Sequence, residues 1–274
     1  MIDFCHAPLS RLRRARARQF LALLSALALG LQLSGAAAPW ARHLDSQAAS
    51  SDSTPAAKAY LFPPAAQLHY EGNGLDRGFL RYTGSGTLQW SHAAGHYDAR
   101  LEISAWGFRV RTWTSTGTLG AQGLQPSRFG DTARGPELVT HFEQDKNRIS
   151  FSSGDGDLPL LAGAQDKLSA LLQLSALVGA DPQRYGSGSS ITFQAADSHR
   201  AELWEFKVSA PETLEFPDGG LRSIKLTKEA NPQFDQKIEV WLAPATAYLP
   251  VRIRITEAGG NFVDLLWQKT QKPD

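Results

Sequence analysis

The sequence has 274 residues and is poor in cysteine, since its single cysteine, Cys5, lies close to the N-terminus. Any folded part downstream therefore has no disulfide and no thiolate metal site, and its stability must come from packing. An excess of charge of one sign is also lacking, because 28 lysines and arginines stand against 27 aspartates and glutamates. Proteins that bind nucleic acid concentrate basic residues on one face, so this balance disfavours that class.

The apolar run near the N-terminus is too short to cross a bilayer. It covers the 14 residues from Phe20 to Leu33, whereas a spanning helix needs about 20. Arginines at positions 11, 13, 14, 16 and 18 precede it, and small residues follow it up to Ala38. This order is typical of a secretory signal peptide, which we predict over residues 1–38.

We expect cleavage of this signal after Ala36 or Ala37, because Pro39 would otherwise lie next to the cut. Cys5 precedes the apolar run, so a lipidated N-terminus is not expected. Removal of residues 1–38 takes away five arginines and Asp3, which leaves 23 basic and 26 acidic residues. The mature chain is predicted to be periplasmic. The alternative is an uncleaved signal that anchors the protein in the inner membrane.

Two segments follow the signal. Residues 39–63 are rich in alanine, serine and proline and have little apolar periodicity, so we predict a flexible linker. From residue 64 to about 270 the pattern is regular, and this part is expected to form a single domain.

One stretch predicts a helix. Leucines at 168, 171, 172, 174 and 177 recur every three or four residues between Gly163 and Gly179, so most of the circumference is apolar and should be buried. Asp166 or Gly163 can cap its start. Gly179 is expected as the left-handed residue at its end, and Pro182 forbids continuation.

The sequence on both sides of this helix alternates between apolar and polar residues. Examples are Ala99 to Ala105, Trp204 to Val208, Ile238 to Leu242 and Leu249 to Ile255. Gln144 to Asn147 predicts a polar turn between two such segments, and Gly259-Gly260-Asn261 predicts another. The pattern favours about ten or eleven antiparallel strands, each apolar on one face.

The size of the sheet decides its shape. Ten strands at ~4.8 Å spacing span roughly 48 Å, whereas a helix of fifteen residues is only ~22 Å long and ~10 Å thick. One helix cannot cover the apolar face of a flat sheet of that width. We therefore predict a mainly β fold in which a strongly curved antiparallel sheet, an open or incomplete barrel, wraps one buried helix near residues 164–178. The alternative is a two-sheet sandwich with the helix across one end. A barrel too wide to be filled by side chains would enclose an apolar cavity.

Motifs for catalysis and cofactor binding are absent or incomplete. His92 and His96 flank a predicted turn without a readable third ligand, so no metal site is expected. Asp155-Gly156-Asp157 lacks the later carboxylates of a calcium loop. No serine lies in a Gly-x-Ser-x-Gly elbow, and no cofactor is predicted.

The aromatic residues give two sets of site candidates. Trp106, Trp204 and Phe206 share the apolar register, and with Leu171 and Leu174 they are candidates to line a ligand cavity. Trp113 and Trp241 are predicted on the opposite register. With Arg109, Arg111, Arg252 and Arg254 they are candidates for a surface that docks a partner.

Several segments together are distinctive. They include Leu161 to Ser169, Phe234 to Lys237, Trp241 to Pro244 and Tyr248 to Ile255, with Phe142 to Asp145 and Ile149 to Ser152. This set resembles the DUF3108 family of exported bacterial proteins over roughly residues 64–267. The family has no assigned activity. Its expected architecture is similar to that of the LolA and LolB envelope carriers, which hold acyl chains between an open barrel and its lid helices. This second resemblance concerns the fold, and function does not follow from fold alone.

The leading hypothesis is a non-enzymatic periplasmic protein that binds or carries an apolar envelope ligand, such as a lipid or a lipoprotein acyl chain. A second hypothesis is an envelope assembly factor that acts through its outer sheet face. A hydrolase is a distant third and would require His141 or His199 to meet a carboxylate and a nucleophile.

Overall fold

A computed structural model describes residues 59–133, 135–230 and 236–272. The predicted signal peptide and most of the predicted linker lie outside the described residues. Within the described part the chain is mostly β-strand, as the alternation predicted, and it contains one α-helix. No helix there is long and apolar enough to cross a membrane.

Nine strands precede the helix α1 (Lys167–Ala180), and the last of them ends at the residue before the helix. They are β1 (Ala66–Asp76), β2 (Leu80–Ala93), β3 (His96–Ala105), β4 (Phe108–Gly120), β5 (Gly123–Thr132), β6 (Leu138–Glu143), β7 (Arg148–Phe151), β8 (Leu158–Pro159) and β9 (Gln165–Asp166). Seven follow it: β10 (Ser190–Ala196), β11 (Ala201–Val208), β12 (Glu212–Phe216), β13 (Gly219–Lys228), β14 (Lys237–Leu242), β15 (Pro250–Thr256) and β16 (Phe262–Gln271).

These strands form one curved sheet that does not close into a barrel. The order is β8-β7-β6-β5-β4-β3-β2-β1-β16-β15-β14-β13-β11-β10-β9, with β12 paired to β13 off this path. All pairs are antiparallel except β9 with β10. The predicted curved sheet around one helix is confirmed. The predicted ten or eleven strands are fewer than the sixteen found among the described residues, in part because β8 and β9, with two residues each, are too short to show alternation.

The helix is buried on all sides, since 12 of its 14 residues are inaccessible to solvent. Asp166 is its N-cap, and the carboxylate accepts hydrogen bonds from the backbone N–H groups of Leu168 and Ser169. The predicted end at Gly179 is wrong. The helix continues to Ala180, and the N–H of Asp181 donates to the carbonyl of Leu177 at 3.2 Å. Pro182 then prevents a further turn.

Glycines on the inner face allow the sheet to bend sharply. Gly72 faces Gly84 across β1 and β2, and Gly84 faces Ala105 on β3. A Cβ atom at Gly84 would lie 2.0 Å from the carbonyl oxygen of Ser104. These glycines lie within strands, and the turn between β1 and β2 is at Arg77-Gly78.

Side chains connect the two edges of the sheet. The Gln194 amide on β10 donates to the carbonyl of Pro159 on β8 and accepts from the N–H of Leu161, both at 2.9 Å. Thr140 on β6 donates to the carbonyl of Asp197 at 2.7 Å. The gap in the incomplete barrel is therefore bridged by side-chain hydrogen bonds instead of a backbone ladder.

The folded part begins before residue 64. The N–H of Leu61 donates to the carbonyl of Ala176 near the end of the helix at 2.9 Å. The carbonyl of Pro63 accepts a hydrogen bond from Trp90 Nε1, also at 2.9 Å. Residues 61–63, which we had assigned to the flexible linker, are thus attached to the domain.

Replacing Gly84 by alanine should lower the free energy of unfolding by about 3 kcal/mol, because the new methyl group would collide with a backbone oxygen. Gly156→Ala is the matched control, since a Cβ atom there meets nothing within 4 Å. Urea unfolding of both variants measures the effect. Equal stabilities would contradict the close packing of β2 against β3.

Candidate functional site

The two ends of the curved sheet are filled differently. We call the end with the β2–β3 and β4–β5 turns the helix end, because the C-terminal half of α1 packs there. The Gln173 side chain accepts from the N–H of Leu124 at 2.9 Å and donates to the carbonyl of Gln122. We call the opposite end, with the β1–β2, β3–β4 and β15–β16 turns, the pocket end.

The pocket end contains an apolar cavity of about 120 Å³. Strands β1, β3, β15 and β16 form its walls. The main apolar ones are Leu75, Ile103, Ile255, Phe262 and Val263. No residue of the helix lines this cavity, because α1 begins at Lys167 and runs towards the other end.

The floor of the cavity is polar. Arg111 and Trp113 line it from β4. Arg111 makes two parallel hydrogen bonds to the Asp131 carboxylate on β5, with N–O distances of 2.9 and 2.5 Å. Trp113 is 4% exposed, and its Nε1 has no hydrogen-bond partner among the described residues. An apolar wall above a charged floor suits a ligand with both kinds of surface.

A second, polar cavity of about 130 Å³ lies on the other side of Arg111. It is lined by Asp131, Lys167 and Asp197, among others. The Lys167 Nζ atom lies 3.9 Å from Asp197 Oδ2 and donates to Gln236 Oε1 at 3.0 Å. Burial lowers the pKa of Lys167 in spite of the nearby Asp197 carboxylate.

A buried carboxylate anchors the start of the helix to the sheet. Besides its two backbone bonds, Asp166 accepts from Ser115 Oγ on β4 at 2.5 Å. Ser115 in turn lies 3.0 Å from the Tyr97 hydroxyl on β3. Burial without a cation raises the pKa of Asp166 to about 6, and its hydrogen bonds offset only part of this rise.

The hydrolase hypothesis finds only part of its requirements. His199 Nδ1 lies 2.8 Å from Asp155 Oδ2, which brings an imidazole and a carboxylate together. Ser153 Oγ, however, donates to the same carboxylate at 2.8 Å and not to the imidazole. A serine nucleophile activated by histidine requires the serine–imidazole bond.

Family membership follows from a match to the family model of DUF3108, described as a protein of unknown function, over residues 69–266. The chain belongs to the DUF3108 family. Comparison with curated proteins gives no match for this DUF3108 chain.

Solved structures that are similar to the DUF3108 chain include the following two. One is a β-barrel-like protein of the DUF1849 domain from Brucella abortus, with a TM-score of 0.51 and 12% identity, covering 79% of this chain and 100% of that one. Another is a putative outer membrane lipoprotein-sorting protein domain from Vibrio parahaemolyticus, with a TM-score of 0.26 and 9% identity, covering 78% and 87%. The first likeness concerns the fold alone, and the second is too distant to support an argument.

The candidates for the ligand cavity mostly lie in the packed core of the DUF3108 domain. Leu171 and Leu174 are at most 2% exposed, and Trp204 and Phe206 pack on each other at 6.1 Å between ring centroids. None of these four lines the apolar cavity. Trp106 is 53% exposed in the β3–β4 turn and does not line the cavity, so its predicted place on the buried apolar register was wrong. Its ring contacts Tyr82, which lines the cavity.

The candidates for the partner surface are divided between the two faces of the sheet. Trp113 pairs with Leu101 and Arg111 with Ile103, so both residues face inwards. The prediction that they lie on the outer face was wrong, because a bulge between Ile103 and Ser104 shifts the register of β4. Arg109, before the shift, lies outside and contacts Glu102 at 3.0 Å.

Trp241 does lie on the outer face, but it is only 4% exposed. It belongs to a small apolar cluster with Leu214 of β12, and the cations of Lys225 and Arg252 lie 4.8 and 4.7 Å from its ring. Arg252 and Arg254 both contact Asp264. The outer candidates therefore bind one another rather than forming a free aromatic surface.

The alternation of apolar and polar residues placed Arg111 and Trp113, which line the apolar cavity, on the wrong face of β4. Phe108 and Val110 suggested an apolar inner register for β4, which placed Arg111 outside. The structure shows the opposite, because Trp113 and Ser115 further along the strand pair with the inner-face residues Asp131 and Phe129 of β5. A bulge in β4 reconciles the two halves of the strand.

Asp166→Asn should remove a pH dependence of stability. The folded-state pKa of about 6 exceeds the ordinary 3.8, so the wild type loses up to about 3 kcal/mol of unfolding free energy as pH rises through this window. Asparagine keeps a helix cap but does not ionise. Urea unfolding at pH 4 to 7 gives the unfolding free energy of both proteins. Because they share all other carboxylates, a difference in their pH dependence comes from residue 166. A constant difference between the two curves would contradict the raised pKa.

Proposed function

We propose that this DUF3108 protein binds an apolar or amphiphilic molecule of the cell envelope in the cavity at the pocket end, without catalysing a reaction. The observation that carries the proposal is that the helix fills only the helix end and leaves an apolar space above Arg111 and Trp113. Ile255, Phe262 and Val263, which border this space, are only partly buried and are available for contact.

The volume of the cavity sets the size of the bound group. An apolar cavity of about 150 Å³ holds one benzene molecule, and the cavity here measures about 120 Å³. It therefore accommodates one end of an acyl chain, and the remainder would extend towards the rim. The space directly around the helix is closely packed, so a deep cavity beneath the helix, as expected for a carrier with a lid, is not the site.

A larger depression of about 480 Å³ lies near the helix end beside Trp267 and Leu249. It is more open than the apolar cavity, and small side chains such as Ala65, Ala245 and Ala247 form much of its surface. A ligand in so open a depression would remain in contact with water over much of its surface, whereas binding sites bury most of a ligand. We therefore place the ligand at the pocket end.

A ligand from the cell envelope is consistent with a protein that is exported to the periplasm. The arginines before the apolar run and the small residues after it support export to the periplasm. If the signal is removed, N-terminal sequencing of the protein from the periplasm should begin at Ala37 or Ala38. A protein that keeps Met1 and sediments with the inner membrane would favour the anchored alternative.

Ile255→Trp should fill the cavity and weaken ligand binding at least tenfold, because the indole would occupy most of its volume. Titration with N-phenyl-1-naphthylamine, which fluoresces in apolar sites, measures this change. Lipid analysis of protein from its native host gives a second readout.

The control for this variant is Leu203→Trp, since Leu203 is 65% exposed and does not line the cavity. It should bind the dye as the wild type does. Circular dichroism verifies that both variants fold. A wild-type protein that binds neither the dye nor any co-purifying lipid would refute the proposed function.

A further inference from the structure

The pocket end carries an unusual concentration of exposed apolar side chains. The described residues contain seven large hydrophobic side chains that are exposed, and four of them lie in two turns. Phe79 and Leu80 are 78% and 41% exposed at the β1–β2 turn, and Trp106 and Phe108 are 53% and 75% exposed at the β3–β4 turn. We call these four residues the apolar tips.

The apolar tips lie at the same end of the sheet, on two adjacent hairpins. β2 pairs with β3, and the Tyr82 and Trp106 rings on the two hairpins lie 4.9 Å apart. The β1–β2 turn is also fixed to the β15–β16 turn, because the N–H of Gly78 donates to Asn261 Oδ1 at 2.9 Å. Tyr82 lines the apolar cavity, so the two hairpins extend from the end of the sheet that holds the cavity.

Neither of these two turns has the residue type that its backbone conformation favours. Arg77 and Trp106 have positive φ angles of 52° and 53° and are each followed by a glycine with positive φ. Asparagine or aspartate is preferred at the first of these positions, and a bulky side chain there is uncommon. The exposed side chain of Trp106 therefore stabilises neither the turn nor the core.

Arginines accompany the apolar tips. Arg77 and Arg81 flank Phe79 and Leu80, and Arg109 follows Phe108. Asp76 and Glu102 offset part of this charge, since they lie 3.9 and 3.0 Å from Arg77 and Arg109. Arg77 and Arg109 nevertheless keep side chains that are 75% and 60% exposed.

We propose that the apolar tips dock the protein onto the surface of a lipid bilayer, with phenylalanine and tryptophan rings in the interfacial region and arginines at the level of the phosphate groups. Tryptophan is enriched at this depth because its ring is apolar and its N–H is polar. Arginine can keep its stem in apolar surroundings while its guanidinium binds phosphate. Apolar rings next to exposed arginines match a surface that is apolar beneath a layer of phosphate groups.

The orientation of the docked protein determines how a ligand would reach the apolar cavity. Docking through the apolar tips would place the rim of the apolar cavity against the lipid, so that an acyl chain could enter with little exposure to water. The docking proposal nevertheless stands on the exposed tips alone and does not depend on occupancy of the cavity.

The test uses protein exported and purified without its signal peptide, as confirmed by N-terminal sequencing, and phosphatidylethanolamine–phosphatidylglycerol vesicles. We expect cosedimentation and a blue shift of tryptophan emission that is lost in Trp106→Phe. The variant F79T/W106N/F108T should bind at least tenfold more weakly. Its asparagine suits the turn and its threonines suit strands, so it should remain folded.

Leu203→Thr is the matched control, because it removes an exposed leucine far from the apolar tips and should bind vesicles as the wild type does. Arg77→Gln with Arg109→Gln should weaken binding to these vesicles more than binding to neutral phosphatidylcholine vesicles. Equal binding by the wild type and F79T/W106N/F108T would overturn the proposal. So would a wild type that ignores vesicles and forms a dimer that this variant abolishes, since a second copy would then cover the tips.

The outcome is separable from that of the proposed function. Ile255→Trp should lose the naphthylamine dye and still bind vesicles, whereas F79T/W106N/F108T should bind the dye and lose the vesicles. Vesicle binding by a wild type that binds neither the dye nor any co-purifying lipid would leave the docking surface standing and refute the ligand site.

Discussion

The carboxylate of Asp166 determines where the helix begins, and the arrangement of the interior depends on this position. Two backbone N–H groups and Ser115 hold the carboxylate in the middle of the curved sheet. The helix runs from there to the helix end, where Gln173 and the segment around Leu61 receive it. The other half of the sheet has no helix, and its inner face is left with an apolar wall and the Arg111–Asp131 pair.

Much of this fold could be predicted from the sequence because its signals are local. The leucine spacing identified the helix, Asp166 was one of two candidates for its start, and the polar residues at 144–147 identified a hairpin. The curvature followed from comparing the width of the sheet with the size of the helix. A strand of two residues is too short to show an alternating pattern, so β8 and β9 could not be found in this way.

The candidate site was harder to predict because it depends on one irregularity. A bulge in β4 moves Arg111 and Trp113 from the expected outer face to the inner face. A register change of one residue exchanges the two faces of a strand, so an error at the bulge reverses every later assignment. The exposed position of Trp106 was missed for a related reason, since an apolar residue in a tight turn looks like the end of an apolar strand.

Glycine and side-chain amides solve two different problems of an incomplete barrel. Inner-face glycines such as Gly84 let neighbouring strands approach closely, which a side chain would prevent. Gln194 and Thr140 satisfy polar groups along the gap, where no backbone ladder exists. Curvature and closure are thus achieved by separate residues in separate parts of the sheet.

The two terminal strands of the sheet, β8 and β9, have only two residues each. A long unpaired strand is a template on which another chain can add, and this is a common start of fibril growth. Here the template is too short to hold an incoming strand, and Gln194 already occupies hydrogen-bonding groups at Pro159 and Leu161. The gap of the open barrel is therefore bordered by strands that give an incoming chain few backbone groups to pair with.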